Sequence, residues 1–355
     1  MGRIKVLMAG PDREVHGGIS AVVNELYSAG LDEKVELKYI GTMKEGSKLK
    51  KLFVAAFAYV RFLKELPWCD VAHVHFSSDA SFFRKAYFIR AAHRKGKKIV
   101  LHQHGGDFKT FYGQEISEKK KKFVRDILSM GDVMLVLTSG WKDYFSKLTD
   151  AERIVVFPNG IKISGKDQNV GVSEMEKDYN SVLFLGRICK DKGIDELLDA
   201  MKEIHMANKD AHLYIGGIYE EEIYRKKIEE CNGFVTYLGW IKDKEKDNYL
   251  NKCGILVLPS YYEGFPVSII EAMYAGSAVV ASNVGGIPEI IQDGVDGTLI
   301  SPKDSAALRD AILKLMNDNE LAKSYGLNGK QKVLKNYSVE KNIERLTEIY
   351  NKLMN

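Results

Sequence analysis

The sequence predicts an α/β protein made of two doubly wound domains. Three observations carry that prediction. At 355 residues the chain exceeds one ordinary core, since domains run to roughly 150 residues. Short β-rich apolar runs alternate with longer helical patterns, the arrangement that gives parallel sheets with helices on both faces. The alternation lapses in the polar, aperiodic stretch 162–179, just after the turn signal Pro158-Asn159-Gly160.

The strand-like runs of the first half are Ile4–Ala9, Val71–His75, Ile99–Gln103, Val133–Leu137 and Ile154–Phe157. Those of the second are Ser181–Leu185, His212–Ile215, Val235–Leu238, Ile255–Leu258 and Ala278–Ala281. Helical patterns fill the gaps: one from the first glycine pair to about Ala29, then Ile194–Ala207, Ala306–Met316 and Val339–Leu353. Ser338 is placed to cap the last of these. The expected division is an N-terminal domain 1–161, a linker 162–179, a second domain 180–336 and a C-terminal helical segment 337–355. In open α/β sheets, ligands bind beyond the carboxyl ends of the strands, so functional residues are sought just after each run.

Composition bounds the function. The hydrophobic share is 45% and the charged share 28%, as in soluble globular proteins. No repeat of solenoid period or low-complexity tract is visible. Cys69, Cys189, Cys231 and Cys253 lack zinc-type spacing. The apolar run Leu52–Val60 ends at Arg61, far short of the roughly 20 residues that span a bilayer. The opening MGRIKVLMAG reads as strand and turn and not as a leader. A reduced, cytoplasmic enzyme is the expectation. Residues 1–160 hold 27 Lys/Arg against 18 Asp/Glu, a net +9, and the remainder nets −5. A basic first half implies an anionic neighbour. No interleaved stacking aromatics accompany the charge, which sets nucleic acid aside. Between Lys44 and Leu66, Lys48, Lys50, Lys51, Arg61 and Lys64 flank Leu52, Phe53, Val54, Phe57, Tyr59 and Phe62. Such a helix suits an anionic membrane surface. The plainer alternative packs Leu52, Val54 and Phe57 on the sheet and leaves the lysines in water.

Four post-strand segments could carry chemistry. His16-Gly17-Gly18-Ile19-Ser20 offers backbone N–H groups at a helix start, or is simply a tight turn. The three spaced glycines of a dinucleotide fingerprint are absent. In LGRICKDKG, a strand ends at Gly186, and Arg187, Lys190 and Lys192 precede a helix, a cationic set suited to a diphosphate. In PSYYEGFPVSIIEA, Glu263 follows a buried strand and Glu271 lies within a helix among apolar neighbours. A carboxylate there can accept two vicinal hydroxyls, as on a ribose. In HQHGGD, His102 and His104 share a strand face, as do His73 and His75. His73 and His102 read as buried and hydrogen-bonded, His104 and His75 as cleft residues. Carboxylate partners for a metal are sparse, so no metal is expected.

These segments in this order resemble the family-4 retaining glycosyltransferases of GT-B fold, most like enzymes of bacterial capsule, exopolysaccharide or O-antigen synthesis. The resemblance covers nearly the whole chain and continues through ASNVGGIPEII and DGVDGTLI. It implies two Rossmann-like domains facing across a cleft, with the C-terminal helix returning to the first. It implies a nucleotide-sugar donor, with UDP the expected nucleotide, and a glycan or lipid-linked acceptor. It further implies that Arg187 and Lys192 neutralise the departing diphosphate and that Glu263 lies beside the donor sugar. Gly186 opens that loop. The amides of Gly264, Phe265 and Pro266, with Val267, hold sugar hydroxyls and phosphate. Glu271 takes the ribose, Gly17 and Gly18 close over the phosphates, and His104 faces the transferred sugar. Gly239-Trp240-Ile241 falls where the base packs, which brings in Ile241. The chain departs from the common family pattern at Lys162, where many relatives have Asp, and at Gly-Phe-Pro where many have Gly-Phe-Gly. No Asp-x-Asp metal loop is present, so neither metal nor cofactor is expected. Catalysis would rest on charge stabilisation and on closure of the domains around the donor. The alternatives are a nucleotide-sugar epimerase of the same fold and a catalytically silent binding subunit.

Overall fold

The computed structural model describes residues 2–163 and 176–355. Most of the expected linker, 164–175, lies outside the described residues. The chain divides into two compact units. Unit 1 is Met1–Lys162 with Ser338–Asn355, and unit 2 is Ile163–Tyr337. The GT-B class expected from the sequence holds at the level of each unit: both are six-stranded, wholly parallel sheets flanked by helices.

The strands of unit 1 are β1 (Lys5–Gly10), β2 (Glu36–Gly41), β3 (Val71–Phe76), β4 (Lys98–Gln103), β5 (Val133–Val136) and β6 (Ile154–Val156), in the order β2-β1-β3-β4-β5-β6. Every residue of β3 is buried, as a parallel strand covered on both faces must be. Alternate side chains enter separate cores. Leu7, Ala9, Ala72, Val74, Ile99 and Leu101 pack on one side, beneath Phe62 of helix Lys48–Glu65 and Phe82 and Phe88 of helix Asp79–Arg94. Val6, Met8, Val71, Val100 and Leu135 face the other, beneath Val23 and Leu26 of helix Gly18–Ser28.

That second core is finished from the far end of the chain. Helix Val339–Met354 contributes Val339, Ile343, Leu346 and Tyr350, an amphipathic spacing with one face inward. Ser338 caps it by accepting from the Lys341 amide. The Val339 amide donates to the Ile161 carbonyl at 2.9 Å. The Asn342 amide group donates to the Pro158 carbonyl at 2.9 Å.

Unit 2 contains β7 (Asp178–Leu185), β8 (His212–Gly216), β9 (Val235–Gly239), β10 (Cys253–Leu258), β11 (Ala278–Ser282) and β12 (Thr298–Ile300), in the order β12-β11-β10-β7-β8-β9. The order runs outward one way from β7 and then outward the other way from β10. The reversal between those two neighbours is where doubly wound sheets open a crevice for ligands. Among the described residues, no helix is long and apolar enough to cross a membrane.

Candidate active site

The loops leaving β7 and β10 meet at this crevice. After β7 the chain makes a short turn at Lys190–Lys192, and Gly193 then starts helix Ile194–Ala207 with φ of 68°. A Cβ at Gly193 would collide with the Pro259 carbonyl in the loop after β10. Only glycine meets both demands, the left-handed backbone and the contact. The Tyr261 amide then donates to the Asp191 carbonyl at 2.8 Å, fixing one loop to the other.

This seam brings Lys192 to Glu263. The ammonium lies 2.5 Å from Glu263 Oε1, with the two side chains 14% and 11% exposed. Ser260 Oγ donates to the same oxygen at 2.7 Å. A third loop packs on the backbone of Glu263: Gly285, at φ of 56°, lies so close that a Cβ would strike the Glu263 main-chain carbonyl. Arg187 lies apart from that pair. Its guanidinium forms two hydrogen bonds to Glu220, at 2.6 and 2.7 Å. Burial works against the guanidinium's charge, but the Glu220 carboxylate outweighs it and raises the pKa above its ordinary value. Gly186, between β7 and Arg187, donates to the Gly216 carbonyl at 3.0 Å.

Glu271 occupies the second turn of helix Val267–Tyr274. It pairs with Lys246 of helix Asp243–Lys252 at 2.5 Å. Pro266 is the N-cap, and a proline has no N–H to give. The backbone donors of Gly264-Phe265-Pro266-Val267 are therefore Gly264, Phe265 and Val267. Phe265 itself is 5% exposed and packs edge-on against Tyr337. Ile241 is 6% exposed, so its side chain is core while the neighbouring Trp240 is 45% exposed.

Three partners escaped the sequence reading: Glu220, Lys246 and Ser260. Ser260 stood inside the quoted motif, three residues before Glu263. Glu220 and Lys246 had no local signal, because strand order sets their pairings and spacing does not.

The unit 1 candidates are of another kind. Gly17 caps helix Gly18–Ser28 with extended backbone, and a Cβ at Gly17 or Gly18 would meet nothing within 4 Å. The fold itself does not demand glycine there. His75 and His102 sit opposite each other on β3 and β4. His73 Nδ1 is 2.5 Å from Tyr350 OH, and its Nε2 is 3.2 Å from His102 Nδ1. His75 Nδ1 is 2.8 Å from His104 Nε2. His75, expected in a cleft, is wholly buried, because β3 is covered on both faces. Burial, with the charge of His104 behind it, lowers the pKa of His73 to about 3. Burial alone takes His104 to about 3, and His75 and His102 also fall well below the usual imidazole value through burial. One ring nitrogen from each of His73, His75 and His102 lies within 4.8 Å of the others.

Comparison with known proteins gives this geometry a context. Residues 166–332 match the family described as glycosyl transferases group 1, and residues 24–164 match glycosyltransferase family 4. An uncharacterised glycosyltransferase of Methanocaldococcus jannaschii is 30% identical over 298 residues, 76% of this chain and 82% of that protein. An uncharacterised 41.2 kDa protein in the cps region of Klebsiella pneumoniae is 26% identical over 337 residues, 86% of this chain and 88% of that one. Among solved structures, sucrose-phosphate synthase from Thermosynechococcus elongatus matches with a TM-score of 0.78 at 20% identity, covering 99% of both chains. Anabaena HepE in complex with UDP matches at 0.75 and 16% identity, covering 98% of this chain and 100% of that one. At these identities the structures speak for the fold.

Proposed function

This chain belongs to the group 1 glycosyl transferases, and from that premise we propose that it moves a sugar from a UDP-linked donor to a hydroxyl of a glycan or lipid-linked acceptor. In this reading the anomeric configuration is retained and the product is a bacterial surface polysaccharide. The observation that carries it is the gathering of Arg187, Lys192, Glu263 and Glu271 on loops and a helix at one sheet's carboxyl edge, around the β7–β10 reversal.

Each residue has a physical task. Arg187 and Lys192 take the negative charge that grows on the leaving diphosphate, and Lys192, the more buried of the two, acts on it with less screening by water. The uncapped start of helix Val267–Tyr274 adds N–H groups and the positive end of a helix dipole. Glu263, held by Lys192 and Ser260, is a hydrogen-bond acceptor for sugar hydroxyls. Because that carboxylate is engaged by an ammonium and a hydroxyl, it is a poor covalent nucleophile. Front-face attack assisted by the departing phosphate is the reading we adopt. Glu271 accepts from the ribose hydroxyls, and Gly17 and Gly18 leave room for phosphate. His104, neutral at physiological pH, is a hydrogen-bond partner for the transferred sugar. Two fixed cations supply the electrostatic role that a metal would otherwise fill, so the reaction is proposed to be metal-independent. The relative in a cps region supports the capsule setting, and the neighbour solved with UDP supports the nucleotide. We place the enzyme at the inner face of the plasma membrane, with its basic N-terminal half toward anionic lipid.

A thermal-shift screen of purified protein against nucleotide sugars tests the donor, because a bound ligand raises the melting point by mass action. UDP and UDP-sugars should stabilise more than other nucleotides, and Glu271→Ala should abolish the UDP shift. An unchanged UDP shift in that variant would remove Glu271 from the ribose. Stabilisation by GDP or ADP in place of UDP would replace the donor class.

A further inference from the structure

Helix Lys48–Glu65 turns an apolar face to water. Leu49, Leu52, Phe53, Phe57, Val60 and Leu63 fall at i, i+3, i+4, i+8, i+11 and i+14, the spacing of one continuous stripe. A stripe of this kind ordinarily faces a core. Here Leu49 is 69% exposed, Leu52 67%, Phe53 74%, Phe57 73% and Val60 64%. Loose attachment does not explain it, because the opposite face is firmly seated. Ala58, Phe62 and Leu66 are buried, and the Phe62 ring lies 5.0 Å from that of Phe88. The packing that would have buried Leu52 and Phe57 on the sheet is therefore not adopted; only Val54 is partly covered. Tyr87, 63% exposed, extends the patch from the neighbouring helix through its contact with Tyr59.

The charge around the stripe has one sign. Lys50, Lys51, Arg61 and Lys64 are exposed. Glu65 is the helix's single carboxylate, and Lys38 engages it at 2.7 Å. A second copy of the chain meeting this face about a two-fold axis would bring both basic rims together. A bilayer with anionic headgroups satisfies both features at once: hydrocarbon for the stripe and phosphate for the rim.

We propose that the stripe from Leu49 to Leu63 enters the headgroup–acyl boundary of an anionic membrane, with the helix axis in the membrane plane. Its length, roughly 21 Å at 1.5 Å per residue, lies along the surface. The inference deepens the membrane placement proposed above and is independent of the donor chemistry.

The test uses the whole protein with phosphatidylcholine vesicles, with and without phosphatidylglycerol. The protein should sediment with the anionic vesicles alone, and added salt should weaken but not abolish the binding. Joint Phe53→Ser and Phe57→Ser substitution should lower partitioning by at least about tenfold, since each ring loses its burial in the membrane. Joint Lys50→Glu and Lys51→Glu substitution should remove the salt-sensitive part. These side chains are exposed, so melting points should hold in the absence of vesicles. A Phe57→Trp reporter should shift its emission to the blue on anionic vesicles. Undiminished partitioning of the double serine variant, or an unshifted reporter, would overturn the proposal. So would a concentration-dependent dimer that the serine variant dissolves, which would give the face to a second copy. The UDP melting shift, measured on the same samples, keeps the readings apart. Its persistence without vesicle binding breaks only the docking, and its loss with vesicle binding breaks only the donor assignment.

Discussion

The carboxyl edges of the two sheets are furnished in opposite ways. In unit 1, β3 and β4 and the residue after β4 present four histidines that burial holds neutral. Nearby, Lys85 is 1% exposed with its ammonium 2.5 Å from Thr42 Oγ1, and burial, followed by Arg84, drives its pKa well below the usual value. In unit 2 the edge carries ion pairs: Arg187–Glu220, Lys192–Glu263 and Lys246–Glu271. A neutral edge offers hydrogen bonds. A paired edge can exchange a carboxylate for a phosphate without stranding a charge, which makes unit 2 the half suited to a diphosphate.

The sharpest way to test that contrast is acid. Each buried imidazole is neutral when folded and takes up a proton when unfolded. Its contribution is therefore fully present above about pH 6.5 and is lost progressively as pH falls below it, down to about 3 for His73. His73, His75 and His102 are wholly buried and all shift the same way, so acid weakens unit 1 through all three. Hydrogen exchange followed by mass spectrometry should show β1, β3, β4 and β5 losing protection at a higher pH than β7, β8 and β10. Simultaneous loss, or unit 2 failing first, would erase the distinction.

Substitution tests the other edge. Arg187→Ala and Lys192→Ala should each lower turnover by about 10²–10³, as when a charge partner of the transition state is removed. They should differ in stability. The Lys192–Glu263 pair is the more buried, so its loss leaves a carboxylate stranded, whereas the Arg187–Glu220 pair is exposed enough for solvent to screen it. The melting point should fall further for Lys192→Ala. Near-normal turnover in both variants would take the diphosphate away from unit 2.

The smallest expected effect is none. Transfer should continue in EDTA, because Arg187 and Lys192 already carry the required charge. Full loss restored by manganese or magnesium would reverse the contrast and hand a metal role to the histidines of unit 1.

The sequence was most legible where burial is two-sided. The four inner strands of each unit were recognisable as apolar runs, and so were the edge strands β6 and β9. β2 and β12 were not, and each is an edge strand. β2 reads ELKYIG with a mostly half-exposed pattern, and β12 is three residues long. The loops bearing Arg187, Lys192 and Glu263 were legible from strand ends and glycines. Their counter-ions were not, because Glu220 reaches Arg187 from the loop after β8 and Lys246 reaches Glu271 from another helix. His75 was misplaced for a related reason. A polar residue at a strand end reads as a ligand until the neighbouring His104 and the covering layer are known.

The return of helix Val339–Met354 to unit 1 has a consequence for synthesis. Val339, Ile343, Leu346 and Tyr350 emerge from the ribosome only after all of unit 2. At translation rates of roughly 5–20 residues per second, one face of the β1–β3–β4–β5 sheet waits on the order of 10 s without its final cover. During that interval His73 lacks Tyr350, and unit 2 has every strand it needs. Although unit 1 is begun first, unit 2 is the first to be completed, and a nascent chain stalled short of Ser338 would hold a finished second unit beside a first one with an open core.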